Sequence, residues 1–122
     1  MLLVDTNIVL RYLLQDHPAL SPKAKEILAN NDVLLLTQVI AETIYVLDGC
    51  YNFTRQRITD TLLKLSSLDN IYFENNEIVV LALDKYSQTK LDFVDTLLYA
   101  HNQVTGLPVE TFDKDLLRSL KS

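Results

Sequence analysis

Four carboxylates fall at corresponding points of the chain, each just past an apolar run or inside the first turns of a helix-like segment. They are Asp5 in Val4-Asp5-Thr6-Asn7, Glu42 in Ile40-Ala41-Glu42-Thr43, Asp95 in Asp92-Phe93-Val94-Asp95-Thr96, and Asp113 in Thr111-Phe112-Asp113-Lys114-Asp115. Gathered in one place, such acids raise one another's pKa by like-charge repulsion. A divalent cation reverses that penalty. Mg²⁺ or Mn²⁺ takes hard oxygen ligands, uses one or two carboxylates directly and keeps several waters. A metal-bound water beside carboxylate bases is a nucleophile suited to a phosphodiester, and the metal takes up charge on the phosphoryl oxygens. Helix N-termini nearby would help to keep the acids ionised.

Each acid also has a structural reading. Asp5 could cap the first helix. Glu42 could be a plain surface glutamate, although a buried and unpaired carboxylate on so apolar a helix would be costly. Asp92 and Asp95 have capping-box spacing, so Asp92 is given the N-cap and Asp95 the site. Asp113 and Asp115 could be turn and cap residues. It is the four together, at one edge of one sheet, that point to a metal.

Other chemistries find little support. His17 and His101 have no His or Cys partner at ligand spacing and read as surface or packing residues. Cys50 has neither a helix N-terminus nor a basic pair beside it, which argues against a catalytic thiolate. With 2 glycines in all, there is no glycine-rich nucleotide cradle and no G-x-S-x-G elbow.

The elements that must position these acids follow from the apolar pattern. Met1 to Val4 reads as a buried strand, followed by a helix to about Gln15 capped by Thr6 or Asn7. Ser21-Pro22 reads as an N-cap and first turn, and that helix stops at Asn30-Asn31. Val33 to Leu36 is a second strand, and Thr37 caps a helix ending at Gly49. Thr54 caps the next helix, and Ile71 to Phe73 is a third strand. Further helices are expected from Asn76 to about Gln88 and from Leu91 to Gln103, with Gly106 as the closing glycine. Pro108 to Thr111 reads as a short strand and Asp115 to Leu120 as a last helix. Apolar strands alternating with helices predict an α/β fold, three layers with a short central parallel sheet. Ligands bind such sheets at the carboxyl ends of the strands, where the four acids would converge.

The 122 residues carry 11 Lys and Arg against 16 Asp and Glu, a net charge of −5, with 48% hydrophobic residues and 3 Pro. That length predicts a single domain over residues 1–122, and the composition excludes collagen-like and disordered classes. No apolar run approaches the roughly 18 residues of a membrane helix. Met1-Leu2-Leu3-Val4 meets Asp5 at once, without the basic start and apolar stretch of a signal peptide. A soluble, cytoplasmic protein is the expectation. The acidic balance is mild evidence against nonspecific duplex binding, yet carboxylates that hold a metal are compatible with a nucleic-acid substrate.

Leu3-Val4-Asp5-Thr6-Asn7, Glu42, Phe93-Val94-Asp95-Thr96-Leu97-Leu98-Tyr99-Ala100 and Thr111-Phe112-Asp113-Lys114-Asp115-Leu116 resemble the PIN domain in order and spacing. The resemblance covers essentially the whole chain and is nearest to the VapC-like toxins of toxin–antitoxin pairs. It implies that Asp5, Glu42, Asp95 and Asp113 bind Mg²⁺ or Mn²⁺, with Asp5 and Asp95 the most direct ligands. Thr6, Asn7 and Thr111 would support them from beside the site, and Asp92 could add a fifth carboxylate. The implied activity is metal-dependent endonucleolytic cleavage of single-stranded or looped RNA, with a small antitoxin partner and a homodimeric state. The chain departs from the family in two ways: its edge strand after Asp113 is expected to be short or missing, and its basic residues are scattered. Two other readings are a PIN-like binding module without catalysis and a phosphate-handling α/β protein with Asp5 as nucleophile. The latter is the weaker, because the second acid expected two residues on is Asn7.

Overall fold

The computed structural model describes residues 1–121. The chain divides into two compact units, one from Met1 to Glu74 and one from Asn75 onward. The first contains β1 (Leu2–Leu3), α1 (Thr6–Leu14), α2 (Leu20–Ala29), β2 (Val33–Leu35), α3 (Thr37–Tyr51), α4 (Arg55–Ser66) and β3 (Ile71–Phe73). Its strands form a parallel sheet in the order β1-β2-β3, with Leu2 opposite Val33 and Leu35 opposite Phe73. The parallel α/β class is thus as expected. Parallel neighbours need long crossovers, and each one here is a pair of helices.

Val33 and Leu35 on β2 and Ile71 and Phe73 on β3 are buried, while Tyr72 between them is exposed. The helices complete this core with Val9 of α1, Ile40 and Leu47 of α3, and Ile58 and Leu62 of α4, all at most 1% exposed. On α3 the buried set Ile40, Thr43, Ile44 and Leu47 follows i, i+3, i+4, i+7, one stripe of a helix. Thr43 is tolerated there because its hydroxyl donates to the Val39 carbonyl at 2.7 Å.

β1 corrects one expectation. It is not a buried strand: Leu2 and Leu3 of this two-residue edge strand are both exposed, whereas Ile71 and Phe73 of the opposite edge strand β3 are buried.

The second unit contains α5 (Asn76–Gln88), α6 (Phe93–Thr105) and α7 (Lys114–Lys121). Val79, Ala82 and Leu83 of α5 and Ala100 of α6 are buried, and the Tyr86 and Phe93 rings meet edge to face, 6.0 Å apart. Leu116 is the fully buried residue of α7. Gly106 closes α6 at φ +75°, a left-handed conformation that glycine adopts without cost.

No strand forms over residues 108–111, against expectation. Pro108 has no N–H to give a ladder. The flanking backbone is satisfied locally: Leu107 N–H donates to Thr105 Oγ1, the Leu107 carbonyl accepts from Asn102 Nδ2, and Asp113 N–H donates to Thr111 Oγ1.

Candidate active site

In the first unit Asp5 lies just past the carboxyl end of β1 and occupies the N-cap of α1. Its Oδ1 accepts from Ile8 N–H at 3.0 Å. The cap is therefore Asp5 rather than Thr6 or Asn7; Thr6 is buried and Asn7 exposed in the first turn. Capping does not exhaust Asp5, since a carboxylate has a second oxygen to offer a cation. Its own exposure keeps that oxygen accessible to solvent.

β2 runs parallel to β1, so α3 starts from the same sheet edge, with Glu42 in its second turn. Glu42 is exposed, which removes the cost that a buried unpaired glutamate would carry. The start of α3 holds a residue that sequence reasoning missed. The N-cap position is Leu36, which has no side-chain oxygen, and Thr37 is the first helical residue rather than the cap. Glu74, directly after β3, supplies the acceptor instead: its Oε1 takes the Thr37 N–H at 3.0 Å. An acid immediately after a strand, the pattern that singles out Asp5, was the available signal.

α2 likewise starts differently from its expectation. Ser21 does not cap it. His17 Nδ1 accepts from the N–H groups of Ala19 and Leu20, while Ser21 Oγ accepts from His17 N–H. His17 thus caps the start of α2 through Nδ1.

In the second unit Asp92, Asp95, Thr111 and Asp113 belong to the starts of α6 and α7. Asp92 has the N-cap position assigned to it, yet its side chain makes no capping bond, so the capping box with Asp95 is not formed. Asp95 is half-buried in the first turn of α6. Its carboxyl is pushed above the usual aspartate value by burial first, then by the charge of Asp113 and then by that of Asp92. Asp95 therefore feels the charge of both neighbours. Asp113 also caps α7, with Oδ1 accepting from Leu116 N–H at 2.9 Å. The Thr111 hydroxyl accepts from Asp113 N–H at 3.1 Å, which braces the turn carrying Asp113. Asp115 is paired with Arg118.

The donors in both units are carboxylate and hydroxyl oxygens, the set that suits Mg²⁺ or Mn²⁺ rather than softer metals. The mutual repulsion felt by Asp95 is what a cation would relieve. Among the described residues, no group of three or more His, Cys, Asp or Glu side chains is gathered closely enough to hold a metal by itself.

The first unit carries acids at the carboxyl edge of its parallel sheet, and the second carries acids at the starts of its helices α6 and α7, in a chain of α/β class. The PIN domain model matches residues 2–120, nearly the entire chain, and the chain belongs to the PIN domain family. PIN domains are generally nucleases that act on RNA. No curated protein and no solved structure matches the chain. Among the described residues, no helix is long and apolar enough to cross a membrane.

Proposed function

We propose that the chain is a Mg²⁺- or Mn²⁺-dependent endoribonuclease and the toxin of a toxin–antitoxin pair. It would act in the cytoplasm as a homodimer restrained by a small cognate antitoxin. The observation that carries the nuclease reading is the PIN domain match over residues 2–120, and the acids Asp92, Asp95 and Asp113 at the starts of α6 and α7 support it. Asp5 and Asp95 would be the most direct ligands, with Glu42 and Asp113 completing the acidic set. When bound, the metal supplies an activated water and neutralises charge on the phosphoryl oxygens. Thr111 holds the turn of Asp113 through its hydroxyl, and Thr6, Asn7 and Asp92 support the neighbouring acids.

The expected result is that Asp5→Asn and Asp95→Asn each lower Mg²⁺-dependent cleavage of single-stranded RNA by about 100-fold or more, with circular dichroism unchanged. Cleavage by both variants at the wild-type rate in metal-free buffer would overturn the reading. The toxin role is tested by expression. Growth arrest relieved both by the neighbouring small reading frame and by Asp5→Asn supports it, and growth unaffected by the wild-type chain removes it.

A further inference from the structure

Three helices of the first unit border a cleft of about 470 Å³: the end of α1, the middle of α2 and the last turns of α4. That volume falls within the roughly 300–1,000 Å³ of small-molecule sites. The cleft has an apolar side. Leu65 is buried and Leu13 half-buried, and Leu68 beside them is 41% exposed. Its other side is cationic: Lys25 of α2 and Lys64 of α4 are exposed, and Thr61 and Tyr12 add hydroxyls.

Acidic residues outnumber Lys and Arg in this chain, 16 to 11, yet none lines the cleft. Among the described residues, neither lysine is ion-paired. Two shallower hollows of the surface differ in this respect. Arg118 meets Asp115 in one, and Glu26 stands with Lys23 in the other. Helix ends account for one of the two charges at most. The end of α1 is closed by Gln15, whose N–H donates to the Arg11 carbonyl and whose Nε2 donates to the Tyr12 carbonyl at 2.6 Å. Lys64 complements the last turn of α4, but Lys25 stands in the middle of α2, away from either end. An apolar surface suits an apolar body, and two unmatched ammonium groups suit an anionic head.

We propose that this cleft is a binding site for a small organic anion, its aromatic or aliphatic body lying on Leu13, Leu65 and Leu68 and its carboxylate, sulfonate or phosphate met by Lys25 and Lys64. The site is separate from the acidic set of this unit. Asp5 caps the start of α1 and Gln15 closes its end, so the length of the helix, on the order of 14 Å, lies between them.

The test uses the full chain and two fluorescent probes that differ in charge, anilinonaphthalene sulfonate and the neutral phenylnaphthylamine. The sulfonate should bind one-to-one, and added sodium chloride should weaken it while leaving the neutral probe unaffected. Exposed charges are worth little each, so Lys25→Gln or Lys64→Gln should weaken the sulfonate by about 2- to 5-fold. The double variant should lose more, with the neutral probe unchanged. Leu68→Asn, at a partly exposed position, should weaken both probes by about 5-fold. Equal sulfonate affinity of the wild-type chain and the double lysine variant overturns the proposal, as does an equal loss of both probes in that variant. A fall in oligomeric mass for Leu68→Asn by light scattering, with probe affinity unchanged, also overturns it and makes the cleft a protein contact. Asp5→Asn should bind the sulfonate as the wild-type chain does, so failure here leaves the nuclease reading standing.

Discussion

At the scale of single residues, Asp95 is the most informative side chain. Burial and the charges of Asp113 and Asp92 raise its pKa above the ordinary 3.8. The folded state therefore holds this proton to a higher pH than the unfolded chain does. The stability that Asp95 contributes is full below pH 3.8 and is lost as pH rises through its elevated folded value. Asn mimics the protonated acid at every pH. In EDTA at pH 7, Asp95→Asn should melt at a higher temperature than the wild-type chain, and the difference should vanish near pH 3.5. Scanning calorimetry at the two pH values checks both halves of the statement. Arg11 shows the opposite use of charge. The hydroxyl of Tyr51 and the carboxylate of Asp16 hold its guanidinium, raising its pKa, so this cation ties α1 to the end of α3.

At the scale of elements, side-chain chemistry told the helix ends apart only where the cap is local. Thr54 caps α4 through its Oγ1 and the Arg57 N–H, and Gly106 closes α6, both as the sequence indicates. The starts of α2 and α3 depart from expectation because their acceptors come from elsewhere. His17 precedes α2 by three positions, and Glu74 reaches α3 from 37 positions away, a partner that no local pattern contains. Glu74→Ala should lower stability by about 1 kcal/mol, the usual cost of losing a helix cap. Glu74→Gln, which keeps an acceptor oxygen, should recover most of it. Urea titration followed by circular dichroism measures both. The strand expected at residues 108–111 is absent because Pro108 has no N–H to give a ladder, and the flanking Leu107 and Asp113 backbone bonds to the Thr105, Asn102 and Thr111 side chains, choices that alternation of residue types does not encode.

At the scale of the molecule, the net charge of −5 acquires a location. In the second unit, Asp92 and Asp113 act on Asp95 at the start of α6, so part of the excess is local repulsion that a cation would offset. A ligand that binds only the folded state stabilises it, by about 2.7 kcal/mol at a hundredfold excess over Kd. Mg²⁺ should thus raise the melting temperature of the wild-type chain and raise that of Asp95→Asn less. Equal shifts for the two proteins would mean that Asp95 takes no part in holding the ion. Core residues such as Leu47 and Leu62, each at most 1% exposed, answer to volume rather than to charge, and their burial is independent of that titration.

The sequence by itself determined the α/β class, two of the three strands as buried runs, most helices, and the acids worth testing. These depend on periodicity and residue type, which are local properties of a chain. The PIN resemblance rested on the same short blocks of residues. Only the tertiary structure decided that β1 is an exposed edge, that Glu74 caps α3, that Glu42 is solvated, and that Asp95 feels Asp113 and Asp92. Each of those depends on which distant groups share a small volume. Burial and Coulomb energy are set by distance in space, and the order of residues along the chain does not contain that distance.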